Sequence, residues 1–198
     1  DDAMAWALQR RSLAYAYTQG ERLDADLEGA RLIALPSCVA LADSTVAALE
    51  RFVAGGGRLL ADRLPATHTE HGRPRSASPL APLFDGVRGI CLEQSADSGN
   101  RDQLEAGLAA LVPLPAVAVR TPAGTSPVSA RLFRFSLGEA ELIGVIQGTS
   151  SDNEDALVLD VPADGRVWYD VRRGEYLGAV RGGRRLELAA GDAAFLAL

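Results

Sequence analysis

The sequence predicts an α/β protein: a parallel sheet with helices on its faces, followed by a small antiparallel β-sandwich. Three observations carry that expectation. Residues 1–112 alternate short apolar runs with segments of helical periodicity, the pattern of strand–helix–strand units. After Pro113 the texture changes to closely spaced strands of alternating polarity, separated by turns rich in Gly, Asp and Asn, as in a small antiparallel domain. The length, 198 residues, suits one medium domain or two small ones, each able to bury a core. The division is expected at 1–115 and 116–198.

In chain order, residues 2–12 read as a helix with Ala3, Met4, Trp6 and Ala7 on its inner face. Leu13–Tyr17 reads as a short strand. Arg31–Pro36 is a clearer one, an apolar run of buried-strand type ended by proline. Asp43 or Ser44 should cap a helix over Thr45–Ala54, with Val46, Leu49 and Val53 at helical spacing. Arg58–Asp62 is the next strand. A polar loop follows over Pro65–Pro79, then a short helix near Leu80–Phe84, a strand at Gly89–Glu93 and a helix over 102–111. The chain opens in a helix, where a flavodoxin-like parallel sheet normally opens in a central strand; the first strand of such a sheet is missing from this reading.

Pro113, Pro115, Pro122 and Pro127 punctuate a linker-like passage. Seven strands are then expected: Ser129–Ser136, Glu141–Gln147, Leu157–Val161, Arg166–Asp170, Glu175–Val180, Arg185–Leu188 and Ala193–Leu198.

The stretch Gly55-Gly56-Gly57 resembles a nucleotide loop only in composition. A phosphate loop runs strand, glycines, helix, so that amides and a helix N-terminus face the anion. Here the order is helix, glycines, strand. The glycines sit at a helix C-terminus, where exposed carbonyls repel phosphate. Their expected role is a C-cap with one glycine in the left-handed region.

Composition removes further classes. All twenty basic residues are arginine, so lysine Schiff bases and a Walker lysine are excluded. A net charge of -6 argues against nucleic-acid partners, which need a basic face. The local cluster Arg172, Arg173, Arg181, Arg184 and Arg185 reads as a solvated face. Cys38 and Cys91 are too far apart for a metal or redox motif and read as buried free thiols of a cytoplasmic protein. No run approaches the roughly 20 apolar residues of a membrane span, and the acidic start does not read as a signal peptide.

In open α/β sheets ligands gather outside the carboxyl ends of the strands. Ser37 and Asp62 stand at such ends, and the loop 64–75 that follows carries His68 and His71. These four residues are the candidate ligand or interface positions.

Three stretches carry a resemblance: Gly55-Gly-Gly-Arg-Leu-Leu-Ala-Asp62 after its helix, Thr69-Glu-His-Gly-Arg-Pro-Arg75, and Pro79-Leu-Ala-Pro-Leu-Phe-Asp-Gly86. Together they resemble the trimerisation domain of large β-galactosidases, a class I glutamine-amidotransferase-like fold without amidotransferase chemistry. Arg31–Ser37 is similar to that domain's second strand. Val167–Gly178 and Leu186–Leu198 are similar to the β-sandwich that closes many such hydrolases. The resemblance implies a trimeric assembly, a carbohydrate-processing parent and a catalytic (β/α)₈ barrel elsewhere in a longer chain. A barrel needs about 250 residues, so this chain has no room for one beside these domains.

Retained chemistry is weakly marked. An amidotransferase needs a cysteine on a strand-to-helix elbow with His and Glu later in the chain. Cys38 lacks flanking glycines, and both histidines precede Cys91. His68 and His71 with Asp62 or Glu70 lack a third strong metal ligand. Asp152, Glu154 and Asp155 lack the EF-hand pattern. Trp168 and Tyr169 are neighbours on a strand and must face opposite sides, so one of them is core rather than a sugar platform. No cofactor is expected. The leading expectation is a non-catalytic accessory region; the alternative is an independent small-ligand (sugar) binding α/β module.

Overall fold

A computed structural model describes residues 2–27, 29–92, 101–127, 129–149 and 156–198. Glu93 and the acidic trio Asp152, Glu154 and Asp155 lie outside the described residues. The chain divides into two compact units, residues 1–7 with 16–113, and residues 8–15 with 114–198.

The first unit holds a three-stranded parallel sheet of β1 (Leu32–Leu35), β2 (Arg58–Ala61) and β3 (Gly89–Cys91) in that order. The helices are α1 (Asp2–Arg10), α2 (Leu23–Asp26), α3 (Asp43–Ala54) and α4 (Arg101–Leu111). β1 and β2 pair directly, Leu32 opposite Arg58 through Leu35 opposite Ala61.

Strand β2 shows why the sheet needs helices on both faces. Leu59 and Ala61 belong to a core with Ile33, Leu35, Val46, Leu49 and Val53, so one face meets α3. Leu60 points the other way, and a Cβ on Gly107 of α4 would come within 3.1 Å of it. Both faces are apolar because both are covered. Gly107 lets α4 approach the sheet closely.

Helix α3 starts two residues earlier than expected. Asp43 is its first residue rather than its cap, Ala42 holds the cap position, and no side chain caps the end. Its C-terminus is a glycine cap: Gly57 N–H donates to Phe52 O at 2.9 Å and Gly56 N–H to Val53 O at 3.0 Å, with Gly56 at φ 94°. This is the Schellman pairing, which needs a left-handed residue after the cap.

Several expectations change. In α1 the buried residues are Met4, Ala7 and Leu8; Trp6 is half-buried, with the Arg101 guanidinium 4.9 Å from its ring centre. Leu13–Tyr17 forms no strand: Tyr15 and Tyr17 are exposed and the segment joins no ladder. Alternation alone does not make a strand, because its backbone groups need a partner. The segment near Leu80 is a single 3₁₀ turn, Ala81–Leu83. Cys38 and Cys91 form no disulfide and are half-buried rather than buried.

The second unit is a sandwich of two antiparallel sheets. One has the order β10 (Arg184–Glu187), β7 (Ala156–Asp160), β4 (Ala118–Arg120). The other runs β5 (Arg131–Leu137), β6 (Ala140–Ile146), β11 (Ala193–Ala197), β8 (Val167–Asp170), β9 (Glu175–Ala179). All seven expected strands form within one or two residues of their expected bounds. Strand β4, read as linker, is an eighth. Between the sheets lies one core that includes Val119, Leu157, Leu159, Ile143, Val145, Trp168 and Leu196. Trp168 is 2% exposed and Tyr169 42%, so the neighbours do face opposite sides.

Candidate functional site

The register of β1 against β2 sets the geometry at the carboxyl end of the parallel sheet. Leu35 lies opposite Ala61, so the residues just beyond each strand come together. Pro36 ends β1, and Ser37 turns the chain through the left-handed region at φ 51°, an uncommon conformation for a non-glycine residue. Asp62, 5% exposed, holds that turn. Its Oδ1 accepts the Ser37 amide at 2.7 Å and its Oδ2 accepts the Ser37 hydroxyl at 3.1 Å. Hydrogen bonds of this kind are what allow a carboxylate to be buried.

The loop after Asp62 folds back on the segment after β1. Ala66 N–H donates to Cys38 O at 3.0 Å, His68 N–H to Val39 O at 2.9 Å, and Leu41 N–H to His68 O at 3.2 Å. On its other side His68 bridges to Pro74, and Arg75 N–H donates to Thr67 O at 2.8 Å. Thr69–Arg73 forms the tip, with Gly72 at φ 75°. Arg75 ties the hairpin down: its guanidinium donates to Leu41 O at 3.0 Å and pairs with Asp43 at 2.6 Å in the first turn of α3.

The structure thus brings Ser37 and Asp62 into direct contact and places His68 on the adjoining ladder, half-buried with Nδ1 3.0 Å from Thr67 Oγ1. His71 stands apart at the exposed tip, 3.7 Å from Glu70. Among the described residues no group of three His, Cys, Asp or Glu side chains could hold a metal ion.

As chemistry the arrangement is restrained. The Ser37 hydroxyl donates to a carboxylate, so its proton has no imidazole acceptor of the kind an activated serine uses. Cys38 is not on an elbow: helix α3 begins five residues later, and the thiol donates to Pro36 O at 3.4 Å. Burial, and next the Asp62 charge, push its pKa up, the reverse of an activated thiolate.

Two arginines escaped the sequence reading. Arg75 anchors the hairpin. Arg63, directly after Asp62, keeps a buried Nε without a hydrogen-bond partner among the described residues. A cation immediately after a parallel strand end was the available signal for the second; nothing in the sequence marked the first. In the β unit, four of the clustered arginines (Arg172, Arg173, Arg184 and Arg185) line an open cleft of about 650 Å³ with Asp170, Glu187 and Asp192. Arg172 pairs with Asp192 at 3.4 Å, Arg185 with Glu187 at 3.6 Å and Arg173 with Asp170 at 3.9 Å. The cluster is largely neutralised by these acids.

No protein-family model matches the sequence, and no curated protein matches it. Solved structures do share its fold. The β-galactosidase from Rahnella sp. R3 superposes with a TM-score of 0.70 at 16% identity, over 99% of this chain and 36% of that one. The β-galactosidase from Bacillus circulans sp. alkalophilus gives 0.69 at 12%, over 98% and 36%. Gan42B, a GH42 β-galactosidase from G. stearothermophilus, gives 0.68 at 12%, over 99% and 35%. The chain therefore spans about a third of the length of these proteins while being matched almost throughout. Its fold, an α/β unit joined to a β-sandwich, is one these β-galactosidases contain.

Among the described residues no helix is long and apolar enough to cross a membrane.

Proposed function

We propose that this chain is a non-catalytic accessory region of a β-galactosidase-like glycoside hydrolase, lying C-terminal to the catalytic portion of a longer polypeptide. One observation carries the reading: the fold match covers 99% of this chain but only 35–36% of the enzymes matched. In that reading the α/β unit assembles copies, as a trimer, and the hairpin at 62–75 helps to wall a neighbouring active site. The Ser37–Asp62 pair supports it, because both groups hold a turn and neither is set up to attack a substrate. The test is turnover of a chromogenic β-galactoside by the 198-residue chain. The reading expects no release above buffer; saturable turnover by the purified chain would overturn it.

A second reading, an independent small-ligand or sugar-binding module, is favoured by Arg63 and Arg75, each with an Nε buried without a partner among the described residues after the end of β2. Calorimetric titration with galactose separates the two. Saturable binding that Arg63→Ala removes would favour the second reading, and flat heats the first.

A further inference from the structure

The outer face of the five-stranded sheet is apolar across its whole width. In-register pairing draws one row over five strands: Phe135 opposite Leu142, Leu142 opposite Ala197, Ala197 opposite Tyr169, Tyr169 opposite Tyr176. Side chains on one strand alternate between faces. The row therefore shares a side with Phe133 and Leu137, while Ile143, Val145, Trp168 and Leu196 fill the sandwich core. On this side β5, β6 and β11 present a single charged residue, Arg131. Its aromatic members are exposed, Phe135 53%, Tyr169 42% and Tyr176 66%, with Leu137 beside them at 72%, while Leu142 and Ala197 between them are half-buried. Strands spaced about 4.8 Å apart and rising about 3.4 Å per residue make this a patch of roughly 20 Å by 20 Å. That is on the order of the largest apolar patches seen on soluble monomers, which are often functional.

We infer that this face is the docking surface for an apolar patch on the catalytic portion of the longer polypeptide. The inference rests on the accessory reading above. The matched enzymes carry about two thirds of their length beyond the part this chain resembles, and that is the polypeptide available to cover the face. The chemistry points to protein rather than sugar. A saccharide site needs several convergent polar side chains to fix hydroxyl groups; here Arg131 on β5 and the hydroxyls of Tyr169 and Tyr176 on β8 and β9 stand toward opposite edges of the sheet and do not converge. A face nearly free of charge suits the interior-like packing of a permanent interface.

The test is carbene footprinting read by mass spectrometry, on the 198-residue chain and on the complete polypeptide of its gene. The inference predicts strong labelling of Phe135, Tyr169 and Tyr176 in the short chain at every concentration, falling at least fivefold in the complete polypeptide. Phe135→Asp in the complete polypeptide should restore labelling of Tyr169 and Tyr176. Equal labelling of both proteins overturns the inference. So does protection that grows with concentration in the short chain, which would mean a second copy, and so does protection by added lactose or galactan, which would mean a sugar. A complete polypeptide without β-galactosidase turnover defeats the accessory reading itself. Turnover with the three aromatic residues still labelled defeats only the docking surface.

Discussion

The buried carboxylate of Asp62 accepts both the amide and the hydroxyl of Ser37, at 2.7 and 3.1 Å, across 25 residues of chain. This pair fixes the left-handed turn after β1 and so places the backbone on which the 62–75 hairpin lays its ladder. Asp62→Ala leaves a part-buried amide without its acceptor, and hydrogen bonds to charged groups contribute about 1.5–3 kcal/mol. The variant should lose about 2 kcal/mol of stability in urea unfolding. Asp62→Asn keeps one acceptor and should lose less than half as much. An unchanged midpoint for Asp62→Ala would contradict the role given to the pair.

The glycine cap of α3 makes a position-specific prediction. Gly56 sits at φ 94° and Gly55 at -77°. Gly56→Ala should destabilise by about 1 kcal/mol, because the left-handed region costs L-residues roughly that much. Gly55→Ala should be near neutral. Thermal unfolding of the two variants checks the contrast, and equal losses would contradict it.

Glu141 gives a pH signature. Burial raises its pKa, but hydrogen bonds from Arg134 and Arg166 outweigh that and leave it lowered. A carboxylate whose folded pKa lies below its unfolded value stabilises above the unfolded pKa and loses that contribution as pH falls through the folded one. Glu141→Gln should therefore cost about 1 kcal/mol at pH 7, with the difference from wild type shrinking below about pH 4.5. Denaturant titrations at pH 7 and pH 3.5 measure both. A difference that persists or grows in acid would contradict the sign.

Cys38 gives a test of thiol reactivity. Its raised pKa leaves less thiolate at a given pH than a free cysteine. Iodoacetamide labelling at pH 8, followed by peptide mass spectrometry, should be slower at Cys38 than at glutathione. Labelling faster than glutathione would mark an activated thiol and contradict the account.

Much of the β-sandwich was legible because period-two alternation and Gly/Asp turns survive in any single sequence. Strand β4 was not, since Ala118–Arg120 is three residues between prolines and is held by distant partners: its pairing with β7 and the bond from the Val119 amide to the Ser12 hydroxyl. Leu13–Tyr17 failed the other way, with the right residue pattern and no ladder pairing. For the site, position after a strand was enough to single out Ser37 and Asp62. Their hydrogen bonds depend on the β1–β2 register, and no local pattern encodes that. His71 stands at the exposed tip, apart from the Ser37–Asp62 contact, because the turn at Gly72 carries it away from the ladder. Arg63 was marked only by its place after a strand end, and nothing local marked Arg75, whose contacts with Leu41 and Asp43 depend on the fold.

The most direct measurement is the solution mass of the purified 20.8 kDa chain by light scattering across a range of concentrations. An assembly region predicts a stable particle of three times the chain mass, unchanged on dilution. A strict monomer at every concentration would contradict the claim that these residues carry the assembly interface.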